Sequence, residues 1–167
     1  MGAMATDTET ARIADQLHRS YAGKAWHGPS LSELLADVTT EQASRRPDNG
    51  GHSIWELVLH VAAWMRIGCE HRGSKSVRQI ADEENWPPVK GTWADAIAEL
   101  DREVRALEEA IRAFPDERLN RRAPAVEPQS YYGLMHGIVQ HNLYHAGQIA
   151  ILKKSTPTAA SRAGRPA

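Results

Sequence analysis

Two histidines four residues apart, His141 and His145, fall in the stretch from His136 to Lys154. On an α-helix that spacing amounts to about 40° of rotation, so both imidazoles leave one face a turn apart and can close on one ion. Taking His141 as reference, Leu134, Ile138, His145, Gln148, Ile149 and Leu152 lie within about 80° of it, inside the apolar stripe expected to face the core. Eight histidines in one chain often yield such a pair by chance, and buried histidine is more commonly hydrogen-bonded than metal-bound. A third histidine in a similar setting raises the metal reading. His60 lies in the run Ile54 to Met65, which is apolar almost all the way round a helix, with Glu56 one turn before it on the same edge. Three neutral imidazoles leave one position of a tetrahedral ion open, the arrangement of catalytic rather than structural zinc. Water or a thiolate there would have its pKa lowered by the ion.

The elements that must position these residues read as helices throughout. Thr6 to Glu9 is a capping-box pattern, followed by Ile13, Leu17 and Tyr21 at four-residue spacing until Gly23. After the turn at 27–30, Ser30 and Glu33 repeat the box ahead of a short helix carrying Leu31, Leu34, Leu35 and Val38. That helix runs out through Thr39 and Thr40 into a loop at Arg46 to Gly51. Ser53 and Glu56 form a third box at the head of the buried helix that bears His60. From Gly73 to Gly91 periodicity is lost, and the long connection holds at most a turn of helix. Thr92 caps the next helix, where Trp93, Ile97, Leu100, Val104, Leu107, Ile111 and Phe114 form a heptad-like seam ended by Pro115. Asp101 with Arg105 and Glu108 with Arg112 read as solvated i, i+4 pairs. Pro124 to Ser130 is a loop, Ser130 the N-cap of the last helix, and Lys153 and Lys154 suit its C-terminal dipole. There is no internal repeat and no convincing strand. The expected fold is all-α, an antiparallel four-helix bundle with a short extra helix and a long connection between the second and third long helices.

Composition bounds the rest. The 167 residues suffice for one domain, expected over 6–154, with 1–5 a cloning remnant or disordered start and 155–167 a disordered tail. Twenty basic against 21 acidic residues leave a net charge of −1, which disfavours nucleic acid and anionic membranes as partners. The longest apolar run is shorter than the roughly 18 residues of a membrane span and carries Glu56 and His60, and no signal peptide is evident. Cys69 is the one cysteine, so neither an intramolecular disulfide nor a Cys-x-x-Cys zinc site is available; a cytoplasmic setting fits.

The segments Ser53-Ile-Trp-Glu-Leu-Val-Leu-His-Val-Ala-Ala-Trp64 and Gln140-His-Asn-Leu-Tyr-His-Ala-Gly-Gln-Ile149 resemble the two signature helices of the DinB-like superfamily of metal-dependent proteins, which includes the YfiT-type proteins. The likeness in order and spacing extends over most of Thr8 to Lys154. It implies a four-helix bundle, often homodimeric, with a divalent metal held by His60, His141 and His145. Characterised relatives include bacillithiol-using thiol S-transferases and a mycothiol-dependent isomerase. An enzyme is therefore expected in which the metal activates a low-molecular-weight thiol for transfer to a small electrophile. A metal-water hydrolase is the enzymatic rival. A non-catalytic metal-binding, stress-related protein, its site closed by a fourth ligand such as Glu56, is the second class, and a purely structural role for the histidines the third. Zinc leads among candidate metals, with nickel, iron or copper accepted by the same donors.

The substrate-facing residues rest on position alone. Glu56 can orient a ligand or relay a proton, Gln148 can touch a bound water, and for both a plain structural role competes. His52 is expected to be solvated or capping, His136 lies about 140° from His141 and is discounted, and His18, His27 and His71 lack an apolar context. Tyr144 and the five tryptophans are expected in the core. Met135, Val139, Leu143, Ala146 and Ala150 make a second apolar face on the last helix that needs cover, from another helix or from a second copy in a homodimer.

Overall fold

In the computed structural model of the protein, described for residues 8–48, 50–73, 77, 79–125 and 128–155, all regular structure is helical. The described residues form seven α-helices: α1 Glu9–Tyr21, α2 Leu31–Leu35, α3 Thr40–Ser44, α4 Ile54–Gly73, α5 Asp82–Asn85, α6 Trp93–Arg112 and α7 Tyr131–Ser155. A 3₁₀ turn occupies Asp116–Arg118, and the only β pairing among the described residues is two isolated bridges, Ala25 with Gly28 and Arg122 with Ser130. No helix of the described residues is long and apolar enough to cross a membrane.

Local chemistry sets most helix starts. The Glu33 carboxylate accepts from Ser30 N at 2.8 Å, Glu56 from Ser53 N at 2.9 Å and Asp95 from Thr92 N at 2.8 Å, each satisfying an N–H that the helix itself leaves over. Two starts differ from the sequence reading. Thr6 lies outside the described residues, and α1 is capped by Thr8, whose Oγ1 accepts from Ala11 N at 3.1 Å. The Asp116 carboxylate adds acceptors for Glu9 N at 2.8 Å and Thr10 N at 3.1 Å from more than a hundred residues away. The chain also does not run straight into a loop after Thr39: Thr39 and Gln42 form a further capping box that starts α3. α7 extends through Ser155, one residue past the expected domain end; the expected tail beyond it and residues 1–5 lie outside the described residues.

The four long helices share one core. α4 packs against both α6 and α7, and α1 against the same two. This explains why α4 is apolar on nearly every side: Ile54, Val58, Val61, Ala62, Met65 and Ile67 are all fully buried. The α6 seam is buried at Trp93, Leu100, Val104, Leu107, Ile111 and Phe114, and each such large side chain contributes about 1.5–3 kcal/mol. Gly68 lets α7 come close to α4, since a methyl group there would run into Ile138 Cδ1. On the far side of α7, Met135, Val139 and Ala146 are buried, with α1 and α2 packed on this helix, so most of the second apolar face is covered within the chain. Lys153 Nζ donates to Leu34 O at 2.9 Å and pairs with Asp37, tying the end of α7 to α2.

Candidate metal centre

α4 delivers His60 and α7 delivers His141 and His145 to one point. His60 Nε2 lies 3.0 Å from His141 Nε2, and His145 Nε2 lies 3.0 Å from the same atom. One donor atom from each ring lies within 4.8 Å of those of the other two, and no carboxylate or thiol of the described residues joins the cluster. The separations of 3.0 Å approach the roughly 3.3 Å edge of a tetrahedron whose bonds to zinc are about 2.0–2.1 Å long.

The outer nitrogens show which way two of the rings are protonated. His60 Nδ1–H donates to the main-chain carbonyl of Asn85 at 2.6 Å, and His145 Nδ1–H donates to Gln148 Oε1 at 2.6 Å. A neutral imidazole carries one proton, so these bonds leave both Nε2 lone pairs facing inward. His141 Nδ1 is buried with no hydrogen-bond partner among the described residues. Burial pushes the pKa of His60 down to about 4, against the pull of the Asn85 carbonyl, and nearby His145 and His52 lower it further. Burial likewise takes His141 down to about 3, with His145 and His60 adding to the effect, and burial lowers His145 although Gln148 opposes it. Three neutral imidazoles with converging donors fit a divalent cation, which needs unprotonated nitrogen ligands.

Aromatic rings wall the cluster. Trp86 stacks on His60 with centroids 3.9 Å apart and planes 11° off parallel, and His52 stacks on its other face at 3.5 Å and 8°. Trp64 stands edge-on to His60 at 6.4 Å and tilted to His141 at 5.7 Å, and its Nε1–H donates to Asn85 Oδ1 at 2.9 Å. A pocket of about 270 Å³ runs past His52 and Gln148, and another of about 190 Å³ borders His141 with Trp64, His71 and Ile138. A larger cleft, about 670 Å³, lies between α1 and α7 beside Trp26 and touches none of the three histidines.

The remaining expectations fare unevenly. Glu56 sits not among the imidazoles but at the head of α4, accepting from Arg46 Nε at 3.0 Å and from Ser53 N at 2.9 Å. Burial pushes its pKa up, but Arg46 and Ser53 together outweigh burial and hold the carboxyl below its ordinary value. Gln148 touches His145 directly. His136 lies against Tyr132 at 4.3 Å and outside the cluster. His71, which lacked an apolar context in sequence, is buried at 6% exposure and lines the same pocket as Leu134 and Ile138 of α7. Tyr144 is not core but 66% exposed, its ring edge-on to His145 at 5.1 Å. Of the tryptophans only Trp55 and Trp93 are buried, and Trp26 is fully exposed. Asn85 and Trp86 escaped the sequence reading; the signal available was Asp82 to Pro88, the one polar-aromatic cluster in the long connection.

A family model described as the DinB superfamily matches residues 25–149. No curated protein and no solved structure matches the chain.

Proposed function

The chain belongs to the DinB superfamily, and from that premise we propose that His60, His141 and His145 hold one divalent ion, zinc first, in an enzyme that transfers a low-molecular-weight thiol to a small electrophile. We read α1, α4, α6 and α7 as an antiparallel four-helix bundle, supported by the packing of α1 and α4 against both α6 and α7. The observation that carries the metal reading is the convergence of three neutral Nε2 atoms on one point. A bound ion would supply Lewis acidity there, lowering the pKa of whatever thiol or water takes the remaining position.

The chain's own groups prepare that point. The Asn85 carbonyl and Gln148 Oε1 fix the protonation of His60 and His145, so neither ring must shed a proton to ligate. Trp86 covers one face of His60, and Trp64 stands beside His60 and His141. Glu56, committed to Arg46 and the α4 N-terminus, is not available as a fourth ligand, which supports an open rather than a closed site. Cys69 is likewise absent from the cluster, so a reacting thiolate has to come from a second molecule.

The test is elemental mass analysis of protein prepared without an affinity tag, followed by thiol consumption. Near one equivalent of divalent metal in the wild type and none in His141→Ala is expected. Conjugation of thiol to an electrophile should then outpace the free thiol only in the metal-loaded wild type. Conjugation no faster than background across several thiols would refute the transfer reading, and turnover that continues without thiol would assign hydrolysis. Absence of metal from the wild type after reconstitution would refute the site itself.

A further inference from the structure

The segment that covers His60 is unusual in what holds it. α5 is one turn long and none of its residues is buried, so it brings no core of its own. It packs on α4. Its end is tied there by Asn85 O to His60 Nδ1 at 2.6 Å and by Asn85 Oδ1 to Trp64 Nε1 at 2.9 Å. Trp86 then lies flat between His60 and His52. The Asn85 carbonyl and the Trp86 ring both bear on His60, one in the plane of its ring and one on its face.

We propose that Asn85 and Trp86 form a clamp that presets His60 for the ion, and that clamp and ion stabilise each other, so an ion bound there holds residues 82–92 more firmly on the site. This rests on the three-histidine metal reading and adds to it the coupling. The in-plane bond selects the Nδ1–H form of His60 and the stacked indole restrains its rotation, so the ring is held ready before ligation. Ligation at Nε2 draws electron density from the ring and makes Nδ1–H a stronger donor to the Asn85 carbonyl. Coupling of this kind is reciprocal: whatever factor the clamp adds to ion affinity, the ion adds to closure of the clamp. Trp86 acts through His60 and is a positioning residue.

Two measurements test this on the full chain, with zinc as the probe. The first is hydrogen exchange of backbone amides across 82–92, with and without zinc, in the wild type. Slower exchange with zinc is expected there, beyond any change in α6, and no change while zinc is shown to be bound overturns the coupling. The second is zinc affinity, by competition with a chromophoric chelator, for Trp86→Ala and Trp86→Phe. The loss expected for the alanine variant is about 10- to 100-fold, the range for partners that orient a ligand. The phenylalanine variant, which keeps a flat face on His60, should recover most of it. Affinity within twofold of wild type in Trp86→Ala overturns the preset. A Trp86→Ala chain that fails to fold leaves the exchange comparison to decide. A wild type that binds no zinc refutes the metal reading and the clamp with it, whereas zinc bound without either effect refutes the clamp alone.

Discussion

Gln148→Ala removes one acceptor and leaves every proposed ligand in place. His145 is 6% exposed, and its Nδ1–H has Gln148 Oε1 at 2.6 Å. Without that oxygen the proton loses its partner in a place that water reaches poorly, at a cost of about 1–3 kcal/mol. The ring can escape the cost by moving its proton to Nε2, where it would stand in the path of an ion. Either way the penalty falls on the metal-bound form, in which Nδ1–H must persist and carries more positive charge. Zinc affinity should fall about 10- to 100-fold, equivalent to about 1.4–2.7 kcal/mol. Gln148→Glu keeps an acceptor and adds a negative charge near the ion, so it should bind zinc at least as tightly as the wild type. The assay is competitive zinc titration at neutral pH, with helical content checked by circular dichroism. Gln148→Ala within twofold of wild type would refute the claim that this amide orients His145. Weakening by both variants alike would point to packing rather than acceptance of the proton.

Two further outcomes follow from the same structure. Buried His60 and half-buried His141 have folded pKa values below the ordinary 6.5, about 4 and about 3, while the unfolded chain takes up protons near 6.5. Between those limits the unfolded state binds more protons, so the metal-free protein should lose stability as pH falls through the window. The slope is at most about 1.4 kcal/mol per pH unit per histidine, and less to the extent that water screens the site. Urea midpoints of metal-free protein should fall between pH 6.5 and pH 4.5; midpoints that stay level would show that these rings are not held neutral by the fold. Separately, Leu100 is fully buried in the α6 seam, so Leu100→Ala should cost about 2–5 kcal/mol in urea unfolding, and a loss below about 1 kcal/mol would count against α6 as a core helix.

What could be read from the sequence divides according to how far apart the cooperating groups lie. Capping boxes at Ser30 and Ser53 and the cap at Thr92 are legible because donor and acceptor are three residues apart; the box at Thr39 has the same spacing but lies beside the stronger loop signal of Arg46 to Gly51. The α6 seam and the shared face of His141 and His145 were legible because a helical period carries them. Glu56 shows where that logic fails. Its place one turn before His60 suggests a shared edge, yet Ser53 N–H draws the carboxylate back toward the α4 N-terminus, where Arg46 meets it. The Asp116 carboxylate at the head of α1 has no local signature at all, since it arrives from across the chain.

The candidate site repeats this division inside itself. The three nitrogens that converge sit on two long helices whose positions follow from apolar packing, and their residue types announce them. The groups that set their protonation come from two different kinds of place. Gln148 is on the same helix as His145, three residues on, and could be placed near it from sequence. The acceptor for His60 is a main-chain carbonyl, which every residue possesses, so no residue type at position 85 could have revealed it. Only the return of the long connection across α4 brings it there. Adding or removing one residue between Ala81 and Trp86 should therefore weaken zinc binding in the chelator competition although none of these residues has a ligand atom in the cluster, and unchanged affinity would refute the part given to this carbonyl.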